Sequence, residues 1–163
     1  LGAIESLQYV HMYGAERLAA MALVDSSVGE EPAPPPGSTF AKRLRSQRDR
    51  TLREFTRAIF AKPPPESDVE ALVRGAKRMA LKDSLALLSY PFERAHWRNI
   101  VRGFTKPLLY VVTPQFEAQA ENLKKHRPET QIEVFRDAGH ALFVDQAERF
   151  NAVIEDFAAG VSR

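Results

Sequence analysis

The sequence predicts an α/β fold, a parallel sheet segment carrying a helical insertion, and three observations predict it. Apolar runs at 19–24 and 107–112 are each bounded by polar turns, as strands buried on both faces of a parallel sheet are. A shorter run at 131–135 alternates, with Ile132 and Val134 on one side. Between and after these runs, apolar residues recur at helical spacing. The order strand, helices, strand, helix, strand, helix implies a parallel sheet with right-handed crossovers.

Taken in order, residues 2–13 suit an amphipathic helix, with Ile4, Leu7 and Val10 three apart and Gly14 as its stop. The first strand run, 19–24, ends at Asp25. Residues 29–37 place Pro32, Pro34, Pro35 and Pro36 between Gly29 and Gly37, which demands an extended linker and marks a boundary. From Ser38 to about Phe104 the pattern is helical. Leu52, Phe55 and Ile59 form one stripe, and Val69, Leu72, Val73 and Ala76 another. Pro63, Pro64 and Pro65 separate these two helices, with Ser67 or Asp68 as cap of the second, and Pro91 ends a third containing Leu85, Leu87 and Leu88. The sheet pattern resumes at 107–112. A helix over roughly 116–125 follows, then the third strand, and a closing helix presents Phe150, Val153, Ile154 and Phe157 on one face.

Composition excludes several classes. The 163 residues, 44% hydrophobic, suffice for one core of ordinary domain size. A net charge of +2 does not call for a polyanionic partner such as nucleic acid. With no cysteine, disulfides, a thiol nucleophile and thiolate metal sites are all excluded. No apolar run approaches the roughly 20 residues of a membrane span, and the first residues lack the basic-then-apolar pattern of a secretory signal. A soluble, cytoplasmic protein is the expectation.

The stretch Ile132-Glu133-Val134-Phe135-Arg136-Asp137-Ala138-Gly139-His140 carries the most chemical information. A short strand ends in a small-residue turn that delivers a histidine, then Ala141-Leu142-Phe143 leads into a helix opening near Asp145. Gly139 is expected to take a positive φ and turn the loop sharply. The stretch resembles the catalytic-histidine loop of the α/β-hydrolase superfamily, whose chain order is nucleophile, acid, histidine. The resemblance covers residues 1–28 and 107–158 closely and the middle by position only. It implies strands six to eight of the fold, with residues 1–30 and 105–163 as core and 31–104 as a helical cap lining the substrate site.

In the superfamily the nucleophile stands in G-x-S-x-G, between the fifth strand and its helix. If Gly2 is the last glycine of that motif, the serine falls just before residue 1 and the Leu1 amide donates to the oxyanion. The chain is then the C-terminal part of a serine esterase-type hydrolase of small, apolar esters. It would be inactive alone and in need of a companion chain carrying the N-terminal half. The resemblance implies no cofactor and no metal.

His140 is the expected catalytic base: imidazole takes a proton from a hydroxyl and returns it to a leaving group near neutral pH. The superfamily usually places the acid after its seventh strand, but Val112-Thr113-Pro114-Gln115-Phe116-Glu117 holds no aspartate. A minority of members use an acid at the end of the sixth strand, where Asp25 stands. Asp25 is the favoured acid and Glu117 the alternative.

His11, His96 and His126 show no metal-ligand spacing, and Ser26, Ser27, Ser38 and Ser89 lack the elbow context of a nucleophile. Lys42, Arg43, Arg45, Arg48, Arg50, Arg53 and Arg57, broken by Asp49 and Glu54, read as a solvated helical face in preference to a nucleic-acid or lipid surface. Phe40, Leu44, Trp97 and Phe143 are candidates for an acyl pocket or for core packing. Two other classes share the scaffold: a non-catalytic interaction protein, and an enzyme of dehalogenase, epoxide hydrolase or cofactor-free haloperoxidase type. The residue before Leu1 separates them.

Overall fold

A computed structural model describes residues 2–33, 39–89 and 91–161. Three strands, β1 (Met21–Val24), β2 (Leu108–Val112) and β3 (Gln131–Val134), form a parallel sheet in the order β1-β2-β3. Met21 stands opposite Leu108 and Val24 opposite Val111; Leu109 stands opposite Gln131 and Val112 opposite Val134. The helices among the described residues are α1 (Gly2–Tyr13), α2 (Phe40–Ser46), α3 (Arg48–Ala58), α4 (Glu66–Lys77), α5 (Leu81–Leu87), α6 (Arg94–Gly103), α7 (Pro114–His126), α8 (Leu142–Asp145) and α9 (Ala147–Val161).

The continuous apolar run of β2 follows from its central place. Side chains alternate across a strand, so Leu108, Tyr110 and Val112 enter one core and Leu109 and Val111 the other. The first core is closed by Leu7 of α1, Trp97 and Val101 of α6, and Phe116, Ala120 and Leu123 of α7. On the opposite face, α9 lays Phe150, Val153, Ile154 and Phe157 over Leu109, Val111, Phe135 and Leu142. A fully buried side chain of this size stabilises by about 1.5–3 kcal/mol relative to its exposed state, so β2 is the element the fold can least lose.

β1 departs from expectation. Met21 and Leu23 are buried, Val24 partly so, and Ala22 is exposed. Among the described residues it stands at the edge of the sheet, with one well-covered face and not two. Gly14 (φ +76) ends α1 as expected, its N–H donating to Val10 O at 2.9 Å. Of the expected proline-rich linker, 29–37, residues 34–37 lie outside the described residues.

The middle of the chain is helical as expected, with three differences. α4 begins at Glu66 behind Pro65, so Ser67 and Asp68 sit inside its first turn and neither caps it. On α3 the buried residues are Thr51 and Thr56, while Phe55 of the expected stripe is 46% exposed. α6 is a further helix that lies with α1 in the sheet's first core through Trp97 and Val101. The basic stretch is satisfied locally: Arg50 pairs with Glu54 at 2.7 Å, Arg57 with Glu66 at 2.7 Å and Lys77 with Asp49 at 2.8 Å, while Arg43 reaches Glu54 and Arg53 reaches Glu70. Paired charges of this kind make a solvated face. Among the described residues no helix is long and apolar enough to cross a membrane.

Candidate active site

β1 and β3 both run into loops at the same end of the sheet, and those loops meet. Asp25 ends β1 with φ 41°, a left-handed conformation that aspartate tolerates better than most residues. Its N–H donates to Val111 O at 2.8 Å, prolonging the ladder by one bond. This aims the carboxylate across the top of β2. There Oδ1 accepts the Thr113 N–H and the Thr113 Oγ1–H, both at 2.7 Å. Oδ2 lies 2.9 Å from His140 Nδ1. The Asp25 side chain is 1% exposed and that of His140 55%. A carboxylate only accepts, so Nδ1 carries the proton and Nε2 is left as the basic nitrogen.

The histidine loop is held differently. Gly139 does not take the expected positive φ; it is needed for close approach. A Cβ there would stand 2.5 Å from Ile59 O, 2.7 Å from Phe60 C and 2.9 Å from Ala61 N. The loop therefore lies directly on the chain leaving α3. Ala141 N–H donates to Ile59 O at 2.7 Å, and Asp145 Oδ2 accepts the Gly139 N–H at 2.8 Å.

A cavity of about 370 Å³ opens beside the pair, lined by Asp25, Ser26, Ser27, Phe55, Ala58, Ile59, Gln115, Phe116 and His140. Its apolar wall comes from α3 and the start of α7, not from the candidates read in the sequence. Leu44 and Trp97 are buried, Phe40 meets Phe55 at a tilt with ring centroids 5.1 Å apart, and Phe143 is half exposed against Phe150. The helical stripe of α3 gave no sign that it borders a cavity instead of a core.

Glu117, the alternative acid, is engaged elsewhere, accepting from Arg136 Nη1 at 2.9 Å. Leu1 lies outside the described residues, as does Ser38. Ser26 and Ser27 line the cavity, and Ser27 Oγ donates to Gln119 Oε1 at 3.0 Å. His11 and His96 stand in edge contact, centroids 4.7 Å apart; burial, then the His11 charge, lowers the His96 pKa. His126 sits against Asn122 O. Among the described residues no three His, Asp or Glu side chains are grouped to hold a metal ion.

Sequence reasoning missed the residues that fix the acid loop. Tyr110 O–H donates to Ser26 O at 2.6 Å; burial first, then Asp25 and Glu30, pushes its pKa up. Gln119, buried, accepts Val28 N–H and donates to Pro32 O at 2.9 Å. Glu30 is fully buried and accepts from Arg102 Nη2 at 2.6 Å and Asn122 Nδ2 at 2.8 Å. Burial alone would raise the Glu30 carboxyl, but the Arg102 hydrogen bond and charge, with Asn122, bring it below the ordinary carboxylate range. The one signal in the sequence was a glutamate at 30 next to a proline-rich linker, which points equally to solvent.

Solved structures that superpose on this chain include a protein from Burkholderia cenocepacia assigned as an aryl esterase, with TM-score 0.82 and 22% identity over 99% of this chain and 62% of that one. An esterase from Exiguobacterium antarcticum follows at TM-score 0.80 and 18% identity, over 99% and 63%. A bromoperoxidase from Bacillus anthracis gives 0.81 and 19%, over 97% and 64%. At these identities the likeness is one of fold. The chain spans less than two thirds of the length of these structures. No curated protein matches its sequence. The sequence pattern of the alpha/beta hydrolase family matches residues 1–153, a span that takes in the sheet and both Asp25 and His140, and this chain belongs to that family.

Proposed function

We propose that this chain carries the base and the acid of an acyl hydrolase, which in the whole protein cleaves small apolar esters. The observation that carries the reading is the 2.9 Å contact between His140 Nδ1 and a buried Asp25 carboxylate that is also held by Thr113. A buried anion behind one ring nitrogen fixes the tautomer, aims the other nitrogen and stabilises the imidazolium. The apolar wall of Phe55, Ala58, Ile59 and Phe116 favours an acyl chain over a charged one.

In this reading a serine preceding Leu1 is the nucleophile and the Leu1 N–H one oxyanion donor. As the serine oxygen bonds the ester carbonyl carbon, its proton passes to His140 Nε2. Collapse of the tetrahedral intermediate breaks the carbon–oxygen bond, and Nε2 returns that proton to the departing alkoxide. Water then repeats the sequence and frees the acid. Asp25 stays ionised throughout. Within the expected cap, 31–104, the helices α2 to α5 serve as the cap, with α3 supplying the wall that faces His140, while α6 packs in the sheet's core.

The test is hydrolysis of p-nitrophenyl acetate and butyrate by the whole protein. His140→Ala is expected to lower kcat by about 10⁴-fold or more while leaving the melting temperature close to wild type. Full activity in that variant would remove His140 from the role.

A further inference from the structure

Asp145 makes a contact that neither the acid nor the base requires. Its Oδ2 accepts the Gly139 N–H and also the Ala61 N–H, each at 2.8 Å. These two donors lie in segments far apart in sequence: one precedes His140, the other leaves the helix that walls the cavity. We propose that Asp145 is a positioning residue that couples the helical insertion to the histidine loop, so that the cavity wall and His140 keep one fixed separation.

The physical grounds are three. Two backbone donors on one carboxylate oxygen are charge-assisted bonds, roughly twice as strong as neutral ones. The Ala141 N–H to Ile59 O bond runs alongside in the opposite sense, from the histidine loop to the α3 end. And the absence of a side chain at Gly139 lets the two backbones touch, leaving no room for slack. Ile59 belongs at once to this junction and to the cavity wall with Phe55 and Ala58. The wall therefore cannot retreat without dragging the turn that carries His140. Acyl-chain size and the aim of the base become one variable, set by a residue that lines neither.

Hydrogen–deuterium exchange on the whole protein reads the coupling directly. Asp145→Ala should speed exchange at Gly139 and Ala61 together, by roughly tenfold or more for loss of a charged acceptor, with the amides of β2 at wild-type rates. Acceleration at one of the two alone, or at neither, would overturn the proposal. Should β2 also accelerate, Asp145→Asn decides, because its carbonyl oxygen keeps both donors without the charge. A smaller, joint acceleration of roughly threefold supports the coupling, and acceleration at a single amide overturns it.

The kinetic consequence rests on the acyl-hydrolase reading. Asp145→Ala should change the ratio of kcat/KM for p-nitrophenyl hexanoate over acetate by roughly fivefold, about 1 kcal/mol of discrimination. Asp145→Asn should return most of it. A ratio equal to wild type in both variants would show that the junction does not set the wall. If the wild-type protein cleaves neither ester, the acyl-hydrolase reading falls, while the exchange rates still decide the coupling.

Discussion

The loop after β1 and the loop after β3 deliver the two halves of one hydrogen-bonded pair, yet they are held in opposite ways. The acid loop is buried and polar inside. Asp25, Glu30 and Gln119 are almost wholly inaccessible, and their partners are Thr113 after β2, Ser27 of the loop itself, Arg102 of α6 and Asn122 of α7. The histidine loop is half exposed and held through its own backbone: Gly139 pressed on Ile59, one N–H on the Asp145 carboxylate, one on Ile59 O. A buried anion costs several kcal/mol in desolvation unless its lone pairs are met, so the acid must be over-determined. An imidazole more than half exposed carries far less of that cost and needs only an aim. The comparison teaches that the acid is fixed by polar partners inside the sheet's own core, and the base by its contacts with the insertion.

Substitutions can break that contrast, and the largest effect belongs to the acid. Asp25→Asn keeps an oxygen for Thr113 but offers an N–H to His140 Nδ1, forcing the proton onto Nε2 and removing the base. We expect kcat on p-nitrophenyl butyrate to fall by about 10⁴-fold with an unchanged circular-dichroism spectrum. A fall of less than about tenfold would mean that Asp25 merely supports the turn.

Next comes Glu30. Glu30→Ala leaves Arg102 without its buried partner and should cost about 3–5 kcal/mol in urea denaturation. The same carboxyl makes the fold acid-sensitive. Held below its ordinary value when folded, it stabilises the native state above the unfolded carboxyl's range, near pH 4, and that contribution is lost as pH falls through the lowered folded value. Glu30→Gln should flatten the stability profile below about pH 4. A profile parallel to wild type would place the acid sensitivity elsewhere. The smallest effect is Thr113→Val, which removes one of two Thr113 donors to Asp25 and should cost about 1.5 kcal/mol. A loss no larger than that of a surface threonine would show that the backbone N–H alone suffices.

How far the sequence went can be argued from the same two loops. That Asp25 and His140 meet was legible because each lies in a loop after a strand whose pattern is plain, and parallel strands bring their ends together. The run at 107–112 was legible as a strand because only a central position buries every residue. Thr113, Gln119 and Asp145 were not legible. Their partners lie 88, 92 and 84 residues away, and only the register of β1 on β2 and the seating of α3 bring them into reach. Gly139 was read for conformational freedom when the requirement was space, a distinction that depends on a backbone 80 residues distant in sequence. The cavity wall was not legible for a similar reason, since an apolar helical stripe looks alike whether it meets a core or a cleft.

The central claim is that His140, oriented by Asp25, activates a nucleophilic hydroxyl in the whole protein. Labelling with a fluorophosphonate probe, which reacts with activated serines, tests it most directly by intact mass. The account predicts a single adduct on the wild-type protein and none, over the same time, on His140→Ala. An adduct forming equally fast on His140→Ala, or no adduct on a folded wild type, would contradict it.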